Sequence, residues 1–258
     1  MNRLFALTLA LALCLLNPSL TSAQNDRKVK DAKNTKTGRV DPFEDPEFAK
    51  YAIYAATAPR AKVTESLPTR LPLSLPKEAR IALIGNMLLE RSQYFGYFET
   101  LLQQRYPEHR LRIRHLGWPA DTATLQPRPD NFADTEQHLF HEKADVILVA
   151  LGFNESFAGT DGLPQFIEST RDYIAKLQTL AFNETSAPRI VLLSPIANED
   201  ISGVAAATNN SNLKSYSDAL RTIAGEQSVG FIDLYTPSLE AMKSPGDDLT
   251  INGVHLND

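Results

Sequence analysis

Cysteine is almost absent from this sequence. Its one example in 258 residues, Cys14, falls inside an N-terminal apolar run, so the rest of the chain can form neither a disulfide nor a thiolate metal site. Clusters of Lys and Arg interleaved with aromatics are missing as well, and the formal net charge is -5 with a pI near 5.6. Nucleic acid and anionic membrane are therefore poor partners. The N-terminal run, Leu4–Leu16, falls short of the roughly 20 apolar residues that span a bilayer. Arg3 precedes it and the small residues Thr21-Ser22-Ala23 follow it, the layout of a secretory signal over residues 1–23 with cleavage before Gln24. Leu13 precedes Cys14 where a lipoprotein signal needs a small residue. The expected product is exported, periplasmic or extracellular, and keeps no transmembrane anchor after cleavage.

What remains is an ordinary globular composition, 43% hydrophobic and 22% charged, enough for one core. Residues 24–40 are polar and lysine-rich and read as a flexible linker, with too little apolar surface to offset the entropy of ordering them. Residues 41–79 carry a short apolar patch (Phe48, Tyr51, Ile53, Tyr54) and then the proline-spaced run Leu71-Pro72-Leu73-Ser74-Leu75-Pro76. Each proline removes a backbone donor and bars the residue before it from helix. This part reads as an extended strap, with a helical turn or two near Glu47–Ala56.

From Arg80 onward, strand and helix patterns alternate. Short Ile/Leu/Val-rich runs predict strands at Arg80–Gly85, Leu111–Leu116, Asp145–Leu151, Arg189–Leu193 and Val229–Leu234. Helical periodicity predicts helices at Met87–Arg105, Thr135–Lys143, Leu163–Phe182, Ser211–Glu226 and Ser238–Lys243. Runs apolar on both faces belong to parallel strands covered by helices. The predicted domain, residues 80–258, is thus α/β, a three-layer doubly wound parallel sheet of about five strands.

In such folds ligands bind beyond the carboxyl ends of the strands. The segments there are rich in glycine and polar groups: Gly85-Asn86-Met87, Gly117-Trp118-Pro119-Ala120-Asp121-Thr122, Gly152-Phe153-Asn154-Glu155-Ser156 and Ser194-Pro195-Ile196-Ala197-Asn198-Glu199. Near the end comes Asn252-Gly253-Val254-His255. The opposite ends, such as Pro107-Glu108-His109-Arg110 and Ser186-Ala187-Pro188, are plain turns.

In order and placement these segments resemble the SGNH or GDSL hydrolases, esterases, lipases and carbohydrate acetylesterases on a flavodoxin-like sheet. The family has Gly-Asp-Ser after the first strand, Asn-x-x-x-x-Gly-Asp-Thr after the second, Gly-x-Asn-Asp after the third and Asp-x-x-His near the end. The resemblance implies an ester substrate, a small molecule or an acylated glycan, and no cofactor. It also implies an oxyanion hole from the backbone amides of Met87 and Ala120 and the side-chain amide of Asn154, with Gly85 and Asn86 lining the pocket. A narrower likeness is to a divergent bacterial, planctomycete-type subgroup, sometimes fused to haem-binding modules.

Two departures bear on the chemistry. Met87 occupies the serine position, and a thioether cannot form the acyl-enzyme. Asn252 occupies the aspartate position: it can accept an imidazole N–H but cannot offset an imidazolium charge, an exchange that costs about 10⁴ in a serine-protease triad. The catalytic candidates are therefore His255, as base toward water, and Asn252, as its orienter. Ser92 and Ser156 read better as packing and capping residues than as replacement nucleophiles. Arg91 can reach a substrate carboxylate or phosphate, or it can form a salt bridge with its surroundings. Asp121 and Glu155 stand near a substrate or close their loops; with His255 they supply oxygen and nitrogen donors, but their spacing signals no metal, and loop closure is the better reading. His109, His115, His138 and His141 have no partner pattern and read as surface or loop residues. The chain stops three residues after His255, where family members run on into a closing helix, so His255 is expected to be loosely held or the chain to be part of a longer one. Oligomeric state leaves no trace in the sequence. The expectation is an exported ester hydrolase without the usual serine, with a non-catalytic anion- or glycan-binding domain as the alternative.

Overall fold

A computed structural model describes residues 53–201, 203–244 and 246–257; the signal segment, the linker and the first part of the strap lie outside the described residues. The elements follow in order as β1 (Lys62–Val63), β2 (Arg80–Gly85), α1 (Met87–Ser92), α2 (Tyr97–Arg105), β3 (Arg112–His115), α3 (Thr135–His141) and β4 (Val146–Ala150). A 3₁₀ turn (Glu155–Ala158) leads into α4 (Gly159–Leu177), followed by β5 (Leu180–Ala181), β6 (Arg189–Leu193), α5 (Ala206–Glu226), β7 (Gly230–Ile232) and α6 (Tyr235–Met242).

Five strands form one parallel sheet in the order β3-β2-β4-β6-β7. Alternate residues of one strand feed opposite faces. Ala82 and Ile84 join Ile147, Val149, Ile190 and Leu192 under α4 and α5, while Ile81 and Leu83 join Leu148, Val191 and Leu193 against Leu75, Leu89 and Leu111. Both faces being covered explains why the strands read as unbroken apolar runs. The chain reverses direction across the sheet between β2 and β4, the switch point where a crevice opens. There the register sets Gly85 opposite Ala150 and Ala150 opposite Leu193, so the loops that follow these three strands start at one level.

The main departure from the sequence reading lies just after β2. Met87–Arg105, expected as one helix, is two, α1 and α2, divided at Gly96, whose left-handed φ of 66° forms the N-cap of α2. A glycine takes that conformation without the steric cost other residues meet. None of the residues of α2 is buried; Tyr97, Phe98 and Leu101 all stay exposed. Both long helices that follow start upstream of expectation, α4 at Gly159 rather than Leu163, with Pro164 accommodated inside it, and α5 at Ala206 rather than Ser211.

Residues 59–79 run mostly without regular structure along the sheet. β1 pairs antiparallel with β5, the Thr69 hydroxyl accepts the Ile190 amide at 3.0 Å, and Leu75 enters the core.

Candidate active site

The loop after β2 is forced into a tight approach. Gly85 has a φ of 110°, and a Cβ there would lie 2.0 Å from the Ala150 carbonyl oxygen, the acceptor of the Asn86 amide at 3.0 Å. Only glycine fits. Asn86 is buried and caps α1, its Oδ1 accepting the Leu88 amide at 3.2 Å, as asparagine does at helix starts. Met87 is thereby the first helical residue, and its N–H has no acceptor within the helix.

His255 reaches the same point from the other end of the chain. Residues 249–257 form a narrow loop closed by a Thr250–Leu256 bridge and by the Ile251 amide on the His255 carbonyl at 2.9 Å. Asn252 Oδ1 accepts the backbone amides of Val254 and His255 at 3.3 and 3.0 Å and faces His255 Nδ1 at 2.9 Å. A carbonyl oxygen can only accept, so Nδ1 carries the proton and the Nε2 lone pair is left free. That lone pair points at Met87 Sδ, in direct contact. Met87, the imidazole and its orienting group are lined up, but the thioether has no proton to give. Burial, and then the charge of Arg91, lowers the pKa of His255 below the usual imidazole value, which favours the neutral base.

The loop bearing His255 is anchored by a residue that sequence reasoning passed over as part of a loop. Glu199 is buried, and its carboxylate accepts the amides of Leu249 and Thr250, both at 2.8 Å, and the Thr250 hydroxyl at 2.6 Å. Burial pushes its carboxyl up, but these three donors outweigh it and hold the group below its ordinary value. The Gly253 carbonyl accepts the Glu199 amide at 2.9 Å and Asn198 Nδ2 at 3.2 Å. His255 is thus held by a network although few residues follow it.

Between these elements lies a cavity of about 220 Å³. Met87, His255, Asn86, Arg91 and Ser92 line it together with an apolar wall that includes Phe95, Phe98, Phe153, Ile196 and Leu256. Among the described residues, Arg91 is the one cation in that lining. Its Nε is buried without a partner, and its Nη2 lies 3.5 Å from the Leu256 carbonyl.

Five residues expected at the pocket are absent from the lining of this cavity: Gly85, Ala120, Asp121, Asn154 and Glu155. Asp121 is buried in a two-pronged pair with Arg128, both contacts 2.7 Å, and Arg128 also stacks 4.5 Å above the Trp118 ring. Asn154 Nδ2 donates to the Pro119 and Asp121 carbonyls at 3.0 and 3.2 Å, so both amide hydrogens are occupied and neither is offered to an oxyanion. Ala120 is exposed in the turn closed by the Asp121 amide on the Trp118 carbonyl. Glu155 Oε2 accepts the Gly152 amide at 2.9 Å, and burial raises its carboxyl pKa. These side chains close loops. Asp121, Asn154 and Glu155 each pair with a backbone group or a guanidinium of the neighbouring loop segments, and the Ala120 methyl has no polar group to offer.

His115, expected at the surface without a partner, is instead enclosed. Its Nε2 lies 2.8 Å from Glu99 Oε1 and its Nδ1 3.3 Å from Ser92 Oγ.

A doubly wound sheet with an oriented histidine at its carboxyl edge, facing a helix start at the switch point, defines the chain as a hydrolase-type α/β domain. Residues 89–258 match the model of the GDSL-like lipase/acylhydrolase family, and the chain belongs to that family. No curated protein matches it in sequence. Similar solved structures include an acetylxylan esterase from Geobacillus stearothermophilus, 18% identical, covering 72% of this chain and 90% of that one at a TM-score of 0.56. A single-residue mutant of that organism's acetyl-xylooligosaccharide esterase is 19% identical at a TM-score of 0.55, with the same coverage. An α/β hydrolase from the metagenome of Lake Arreo is 15% identical, covering 71% and 89% of the two chains at a TM-score of 0.52.

Proposed function

We propose that this domain is an exported ester hydrolase that acts on acyl esters, with His255 as general base and water as nucleophile. The observation that carries it is the tautomer fixed by Asn252: the free Nε2 lone pair faces the spot where the family places its attacking oxygen. A small rotation of the Met87 thioether away from Nε2 admits a water, which the neutral imidazole deprotonates as it attacks the ester carbonyl. Arg91, i+4 from Met87 on the same helix face, lines the same cavity and offers an unoccupied N–H to the developing oxyanion, the part Asn154 leaves vacant.

The cavity exceeds the roughly 150 Å³ that holds a benzene, and its wall is mostly apolar. That favours an acyl group of several carbons over a bare acetyl, whether the alcohol is a sugar or a smaller one. Hydrolysis of p-nitrophenyl esters from acetate to octanoate tests this reading. Turnover should rise with chain length and then fall, and His255→Ala should lower it about 10²-fold or more; equal rates in both proteins remove the reading.

One observation favours a second reading, a non-catalytic domain that binds acylated or carboxylated ligands such as a decorated glycan. Met87 Sδ caps the base and the amide of Asn154 is occupied, as expected of a pocket kept for binding. It predicts saturable binding of an acyl carboxylate, weakened by Arg91→Gln, with no turnover of any ester in the series.

A further inference from the structure

We propose that Ser92 is a second nucleophile on this cavity, activated by His115 and Glu99, so that the domain can form a covalent acyl-enzyme despite Met87. The inference rests on the reading that the cavity admits acyl esters, but it assigns the chemistry to a different set of residues.

The parts stand in the right relation. Ser92, the last residue of α1, is among the residues that line the cavity. His115, the last residue of β3, has Nδ1 at 3.3 Å from that hydroxyl and Nε2 at 2.8 Å from the Glu99 carboxylate on α2. Nε2 faces the carboxylate, and Nδ1 lies 3.2 Å from the Leu89 carbonyl as well as 3.3 Å from Ser92 Oγ; in the neutral tautomer that keeps its proton on Nε2, toward Glu99, Nδ1 presents its lone pair to Ser92. This is the relation of nucleophile, base and orienter by which activated serines are recognised, with the nucleophile–base distance at the loose end usual in unliganded sites. The imidazole is well shielded, its side chain 11% exposed. Arg91, the neighbour of Ser92, lines the same cavity and has a buried, unpartnered Nε, the donor assigned to the oxyanion.

At rest the Ser92 hydroxyl donates to the Leu89 carbonyl at 2.8 Å, the ordinary bond of a serine at a helix end. Reaction requires the O–H to turn to Nδ1. The Oγ–acyl carbon bond then forms, the proton passes to Nδ1, and the ester C–O bond breaks as that proton is handed to the leaving alcohol. While His115 is charged, its two N–H groups have the Glu99 carboxylate and the Leu89 carbonyl, 3.2 Å from Nδ1, as acceptors. A water deprotonated by Nδ1 then attacks the acyl carbon and releases the acid, restoring the Ser92 hydroxyl.

The test treats the full chain with an alkyl fluorophosphonate, which bonds to an activated serine oxygen with loss of fluoride, and locates the adduct by peptide mass spectrometry. The adduct is expected on Ser92. Ser92→Ala should abolish it, and His115→Gln should slow its formation about 10²-fold. Glu99→Gln, which keeps a hydrogen bond but removes the charge, should slow it about tenfold while leaving KM for the octanoate ester within about twofold, a split that loss of structure would not produce. Ser92→Cys, nearly the same in volume, guards against misfolding: its thiol should react with iodoacetamide faster than the same variant carrying His115→Gln. Ester turnover with no adduct at Ser92 overturns this proposal and leaves the His255 route standing. An adduct without sustained turnover supports it while the hydrolase reading fails. Neither adduct nor turnover overturns both.

Discussion

Two histidines lean on the short helix α1, one at its first residue and one at its last, and they keep opposite company. His255 meets a thioether on one side and an uncharged amide oxygen on the other. His115 meets a hydroxyl and a carboxylate. The first set holds an oriented imidazole beside a group with no labile proton, and the second holds the hydroxyl, imidazole and carboxylate of which triads are made. The comparison separates geometry from chemistry: an imidazole held in the right tautomer does nothing covalent unless its neighbour carries a proton it can take.

The two sides are also anchored differently, each through a buried carboxylate. Asp121, in the loop that leaves His115, is neutralised by the Arg128 guanidinium. Glu199, beneath the His255 loop, has only N–H and O–H donors.

The largest effect should come from giving the His255 side its missing atoms. Met87→Ser together with Asn252→Asp supplies a nucleophile and a charged orienter, and the loss of such an orienter's charge alone costs about 10⁴ in a serine protease; turnover of a short p-nitrophenyl ester should rise by about that factor over Met87→Ser alone. A smaller gain points to the occupied amide of Asn154 as the remaining defect.

Next in size is the anchor beside His115. Arg128→Ala leaves the Asp121 charge buried and alone, which should lower stability by about 3–5 kcal/mol in urea titrations. The corresponding Glu199→Ala removes hydrogen bonds to a charged group at a site with no cation and should cost less, about 3 kcal/mol. Its pH signature differs too. The folded-state pKa of Glu199 is depressed, so its contribution is present above the unfolded carboxyl value near 4.5 and is lost as pH falls through the folded value. The native protein should therefore lose more stability below about pH 4.5 than Glu199→Ala does.

The smallest expected effect distinguishes the two causes acting on His255. Its pKa lies below 6.5, through burial first and Arg91 second, so the acid limb of kcat/KM should fall below pH 6.5. Arg91→Gln should move the limb back toward 6.5 by less than about one pH unit. If the limb stays where it was, burial alone sets the value. Since the pKa is depressed, protonation of His255 also lowers stability as pH drops below 6.5.

Much of the fold was legible before any coordinates. The bounds of β2 and β6 are those expected from their apolar runs, because continuous burial leaves a pattern that needs no partner to be read. Gly96 gave no such signal: a lone glycine in a helical pattern is tolerated as often as it breaks the helix, and the break depends on where α2 packs. Within the site, Met87 and His255 were legible as a pair through the order of the loop motifs. The direction of the Asn154 amide was not, since it follows from which carbonyls the loop after β3 presents.

The sequence by itself determined the doubly wound sheet, the loops at its carboxyl edge and the methionine that follows Gly85-Asn86, because strand burial and residue identity are local properties. Only the tertiary structure decided which side chains share a cavity. Glu99, His115 and Ser92 come from a helix, a strand and another helix, and the contact among them exists because the break at Gly96 lets α2 turn back so that Glu99 meets the end of β3. Side-chain chemistry is written residue by residue, whereas proximity between distant residues is set by packing.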